Sequence, residues 1–76
     1  MNYEKWINKA ILEIGKLETG KVFILKDLFS GVEWEEMTSG QRRELGRQFK
    51  NKIENKLVPN VKLSIEKKSA TAYEKI

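Results

Sequence analysis

Between residues 38 and 56 the chain reads TSGQRRELGRQFKNKIENK, and its polar side chains are of the kinds that bind phosphates and base edges. Arg43, Arg47, Lys50 and Asn51 fall on one side of a helix at about 100° per residue, with Gln41 in its first turn. Guanidinium and ammonium groups neutralise phosphates; Arg also pairs with guanine, and Gln or Asn with adenine. Residues 39–56 carry three Arg and three Lys against Glu44 and Glu54, a net +4 that equals the charge of the whole chain. Residues 1–38 sum to −2 and residues 57–76 to +2. The alternative is an ordinary solvated helix in which Glu54 pairs with Arg47 and Lys50.

Other chemistry has little to work with. The chain has no His and no Cys, which removes the commonest general base, disulfides and thiolate metal sites. Glu33, Glu35 and Glu36 form an acidic run, but three exposed Glu without His, Cys or a structured loop make a poor metal site. With no nucleophile–base pair and no Gly-rich phosphate loop, no enzyme activity, cofactor or small-molecule ligand is expected. Seventy-six residues allow one small domain, 1–76, and 39% hydrophobic with 34% charged residues describes a soluble globular chain. No run approaches the ~18 apolar residues of a membrane span. The N-terminus MNYEKWINK lacks the apolar stretch of a signal peptide, so the cytoplasm is the expected compartment.

The candidate side chains need a helix to hold them in line, and residues 38–56 supply its start and its buried side. Thr38 is a good N-cap, and Gln41 three residues on completes a capping box. Leu45, Phe49 and Ile53 recur every four residues as one apolar stripe. Arg42 lies beside Phe49 on the helical wheel, so it turns toward the core and needs a partner, which the acidic run upstream can supply. Gly46 costs ~1 kcal/mol against Ala inside a helix. Close approach of another backbone is the expected reason for it, and a local weakness with no purpose is the alternative.

Residues 3–17 read as a first helix, with Tyr3, Ile7, Ala10, Ile14 and Leu17 on one stripe, Trp6 and Ile11 broadening it, and Thr19-Gly20 as its stop. Residues 22–25 suit a brief strand, 26–29 a helical turn, and 34–37 a further turn leading into Thr38. Leu57-Val58-Pro59-Asn60 breaks the long helix. Val61, Leu63 and Ile65 then alternate with Lys62, Ser64 and Glu66, Lys67-Lys68-Ser69 makes a turn, and 70–76 returns. In the return strand Thr71, Tyr73 and Lys75 share one face and Ala72, Glu74 and Ile76 the other. A hairpin needs a further strand, which residues 22–25 provide. Helix, short strand, helix, helix and a C-terminal two-stranded wing is the order of a winged helix-turn-helix, an α+β fold. Lys67 and Lys68 at the wing tip serve either as phosphate contacts or as soluble turn residues. Trp6, Trp34 and Tyr73 read as packing residues rather than stacking platforms for unpaired bases.

The segments FILKDLFSGVEW and TSGQRRELGRQFKNKI resemble a family of short single-domain proteins of unknown function from Gram-positive bacteria and their phages and plasmids. The pattern Phe-x-Leu-Lys-Asp-Leu-Phe, then Trp, then Leu-Gly-Arg-x-Phe falls on Phe23, Leu25, Lys26, Asp27, Leu28, Phe29, Trp34, Leu45, Gly46, Arg47 and Phe49. Pro59-Asn60 before the hairpin and Tyr73 near the C-terminus also fit, so the resemblance covers about residues 22–76. It implies a compact winged-helix-like domain and brings no established activity.

Two functions of different classes follow. The first is binding of double-stranded DNA, with the 38–56 helix in the major groove and the wing on the flanking backbone. The role would be regulation of transcription or an accessory task in a mobile element. Gln41, Arg43, Arg47, Lys50, Asn51, Lys67 and Lys68 are then the contact residues, and a homodimer is expected because one module neutralises few phosphates. The second is a protein-interaction module whose basic helix docks on an acidic host partner. Binding of RNA or single-stranded DNA would require Tyr73 or a Trp to be exposed on the basic face.

Overall fold

The computed structural model describes residues 2–65 and 70–76. Their elements run α1 (Tyr3–Ile14), β1 (Val22–Ile24), a 3-10 turn (Leu25–Leu28), α2 (Gly31–Glu36), α3 (Ser39–Glu54), β2 (Val61–Leu63) and β3 (Ala72–Lys75). The result is a small mixed α+β fold of three helices and a three-stranded antiparallel sheet.

Local hydrogen bonds set the helix ends, where four amides or carbonyls lack intrahelical partners. Asn2 Oδ1 accepts from the Lys5 amide at 3.1 Å and starts α1. Ser30 and Glu33 cap α2 reciprocally, which starts that helix at Gly31 rather than at residue 34. Thr38 Oγ1 accepts from the Gln41 amide at 3.1 Å and Gln41 Oε1 from the Thr38 amide at 2.9 Å, the capping box expected for α3. α3 ends on Lys56 at φ 58°, with Lys56 N–H donating to the Ile53 carbonyl and Leu57 N–H to the Lys52 carbonyl. α1 stops at Ile14, one turn before residue 17. Lys75 Nζ donates to the Ile14 and Leu17 carbonyls at 2.9 and 3.1 Å and places a cation at that helix end.

β3 is the central strand, in the order β1-β3-β2. Phe23 and Leu63 both lie opposite Tyr73. The core joins Ile7, Ala10 and Ile14 of α1, Leu45, Phe49 and Ile53 of α3, and Phe23 and Tyr73 of the sheet. Tyr73 stacks on Phe23 at 5.8 Å between ring centroids and meets Phe49 edge-on at 5.0 Å. Burial, with the Glu54 charge behind it, pushes the Tyr73 hydroxyl up to about 12. The alternation expected along β2 holds in register but not in burial. Val61 is covered, whereas Leu63 is 39% and Ile65 99% exposed. The helical layer covers the strand at Val61 and leaves the residues beyond it bare.

Candidate nucleic-acid interface

With Leu45, Phe49 and Ile53 in the core, α3 presents Arg43, Arg47, Lys50 and Asn51 outward, all exposed. Gln41 is half-buried and lies at the helix start. Lys67 and Lys68, the expected wing contacts, lie outside the described residues.

Beside α3, between the helix and the ends of β1 and β3, runs a groove of about 560 Å³. Its buried and half-buried lining is Ile24, Leu25, Trp34, Arg42, Gly46 and Tyr73, and its exposed lining includes Lys26, Arg43, Arg47 and Lys50. Contrary to the close approach expected from sequence, no neighbouring backbone packs on Gly46. A Cβ built there meets nothing within 4 Å, so the glycine opens the groove instead of tightening a packing contact.

The side chains around this groove divide into those with internal partners and those without. Arg42 turns inward as the helical wheel requires. Its Nε and Nη2 donate to the Trp34 carbonyl at 3.0 and 2.8 Å, and its guanidinium carbon lies 5.4 Å from the centroid of the Trp34 ring. Glu35, from the acidic run, stands at 3.7 Å as a second partner. Arg47 pairs with Glu44, one turn back, and not with Glu54. Its Nε donates to Glu44 Oε1 at 3.0 Å, and Gln48 donates to the same carboxylate. The correction follows from spacing: Glu44 is three residues away and shares a helix face with Arg47, while Glu54 is seven away. The Arg47 and Gln48 bonds hold the Glu44 carboxyl down to about 2, and the same pair raises Arg47. Asn51 Oδ1 accepts from Asn55 Nδ2 at 3.0 Å. The side chains of Lys26, Arg43 and Lys50 make no hydrogen bond or ion pair with any described residue.

Glu33 is bonded to Lys9 and to the Ser30 amide, and chiefly the Lys9 bond lowers its carboxyl pKa. Among the described residues no group of acidic side chains is placed to hold a metal ion. Trp6 meets Phe29 edge-on at 5.6 Å, and Phe29 stacks on Trp34 at 6.1 Å, so both Trp pack between helical elements. Tyr73 is 2% exposed and offers no stacking face, whereas half-buried Trp34 lines the groove. Lys26 is the groove cation that sequence reading did not single out. It follows a short strand with no periodic pattern to orient it. No helix among the described residues is long and apolar enough to cross a membrane.

The sequence matches the family described as Domain of unknown function (DUF1413) over residues 8–75, and the chain belongs to that family. A solved structure described as "SCCmec type IV LP1413 - nucleic acids binding protein" is similar to this chain at 25% sequence identity and a TM-score of 0.75. That likeness covers 100% of this chain and 94% of the other. No curated protein matches the sequence.

Proposed function

We propose that this member of the DUF1413 family binds nucleic acid through the outer face of α3 and the groove beside it. The observation that carries the reading is the convergence of Lys26, Arg43 and Lys50 on one concave surface whose described lining includes no carboxylate. The similar structure described as a nucleic acids binding protein supports it. On the winged-helix reading, α2 and α3 form the helix-turn-helix, α3 enters the major groove of double-stranded DNA, and the β2–β3 hairpin is the wing. Gln41, Arg47 and Asn51, the groups suited to base edges, already hold partners inside α3. Phosphate contacts by the remaining cations therefore dominate, and binding tolerates many sequences. That favours an accessory role in a mobile element over an operator-reading regulator.

The groove itself favours a second reading, in which the strand is unpaired. Ile24, Leu25 and the open surface at Gly46, with Trp34 beside them, form an apolar trough under a cationic rim. A base released from its stack fits such a trough while its phosphates meet the rim. Fluorescence-anisotropy titration with a labelled single-stranded oligonucleotide and a random-sequence duplex, at low and physiological salt, separates the two. Arg43→Glu/Arg47→Glu runs beside the wild type, with circular dichroism to show that both fold. Salt-sensitive binding lost in the double variant supports the interface, and the tighter ligand identifies the strand state. Absence of binding to either ligand at low salt sinks the nucleic-acid reading and turns attention to an acidic protein partner.

A further inference from the structure

β2 is an outer strand of the sheet, and among the described residues no strand pairs with its other side. The Ile76 amide donates to the Asn60 carbonyl at 2.9 Å and the Ser64 amide to the Ala72 carbonyl at 3.0 Å. Residues 60, 62 and 64 therefore turn their backbone groups toward β3. Antiparallel alternation turns the amide and carbonyl of Leu63 and the carbonyl of Val61 to the free edge; the Val61 amide is taken by the Val58 carbonyl. The side chains next to this edge are apolar and bare. Leu63 and Ile65 stand uncovered, and Leu63 and Ile76 line a hollow of about 380 Å³ that reaches in to Ile53 and Val58. The margin of that hollow carries both signs, with Glu54, Lys56 and Lys62. The groove beside α3 carries cations alone and shares no lining residue with it.

We propose that β2 is a dimerisation strand, pairing antiparallel with β2 of a second copy about a two-fold axis at Leu63. In that register Leu63 faces the partner's Leu63, Val61 faces the partner's Ile65, and Lys62 faces the partner's Ser64. All the apolar side chains fall on one face of the joined sheet, and no like charges stand directly opposite. A margin of mixed sign is self-complementary across a two-fold, since Glu54 of each copy can meet Lys56 or Lys62 of the other. An open backbone edge flanked by bare apolar side chains calls for a strand that carries apolar side chains of its own, which a second β2 supplies and a nucleic acid does not, so a second copy fits this face best. Both copies keep the α3 groove clear, and the pair doubles the cations offered to one nucleic acid.

Sedimentation equilibrium of the free chain, from micromolar to millimolar concentration, tests the dimer without nucleic acid. The expected result is a concentration-dependent dimer whose dissociation constant rises about tenfold or more in Ile65→Lys. Because the chain has no Cys, Leu63→Cys under a mild oxidant can cross-link only copy to copy. It is expected to do so readily, while Leu12→Cys, at a still barer apolar position on α1, is not. Leu63 in β2 and Ile65 just beyond it are both exposed, so the variants fold, as circular dichroism verifies. A wild type that stays monomeric at millimolar concentration overturns the proposal. A dimer indifferent to Ile65→Lys, with Leu63→Cys linking no faster than Leu12→Cys, overturns it too.

Discussion

The α1 side of this molecule and the α3 groove carry the same kinds of cation and use them differently. Around α1, Lys9 pairs with Glu33, Lys16 with Glu13 at 3.3 Å, and Lys75 reaches back to the Ile14 carbonyl at the helix end and to the Leu17 carbonyl just beyond it. Along the groove, Lys26, Arg43 and Lys50 hold no partner among the described residues. Lys5 on α1 bonds only through its amide, its side chain holding no partner among the described residues either. The groove is therefore distinguished by the clustering of free cations on one concave surface rather than by net charge or by lack of a partner alone. Two arginines stand between the regions. Arg47 is held by an exposed, solvent-screened pair one turn away, and a phosphate can readily recruit it. Arg42 is bound to a backbone carbonyl and an indole, and it belongs to the fold although it lines the groove.

The comparison can be broken most severely through the helix that both regions share. Phe49, fully buried against Tyr73, holds α3 on the sheet. Phe49→Ala is expected to lose about 3–5 kcal/mol in urea unfolding and to take binding with it. Arg42→Ala sharpens the boundary. Losing charged hydrogen bonds to the Trp34 carbonyl is expected to cost about 1.5–3 kcal/mol of stability. Its remaining binding should be closer to wild type than that of Arg43→Ala once both are shown to be folded. Gly46 gives the opposite sign, since nothing opposes a side chain there. Gly46→Ala should gain about 1 kcal/mol from helix propensity. Gly46→Leu should also fold, yet bind more weakly because it fills the groove. Tyr73 gives a pH handle on the core alone. Its hydroxyl titrates near 10 when unfolded and is raised to about 12 when folded. Its contribution is therefore complete below pH 10 and is lost as pH rises through about 12, a decline in melting temperature that Tyr73→Phe should abolish.

Much of this was legible in the residues. Thr38 and Gln41 announce the start of α3 because a capping box is local, and Leu45, Phe49 and Ile53 fix its buried side. The inward turn of Arg42 follows from the same wheel. What stayed hidden depends on distant parts of the chain. Lys75 reads as a strand residue, yet it closes a helix 61 positions earlier. The alternation of Val61, Leu63 and Ile65 shows a common face but not that the helices cover its first residue alone. Gly46 suggested a close contact because glycine is costly in a helix, and no local signal distinguishes a crowded neighbour from an open groove. The unpaired state of Lys26 and Lys50 likewise emerges only when every nearby carboxylate has been placed.

The salt dependence of oligonucleotide binding, compared between Arg43→Ala or Lys50→Ala and the control Lys16→Ala, tests the central claim most directly. If the groove cations meet phosphates, each of the first two variants should flatten the slope of log K against log salt by about 0.7–0.9, and the control should leave it unchanged. Equal slopes in all three would mean that the contrast between partnered and free cations does not mark the binding surface.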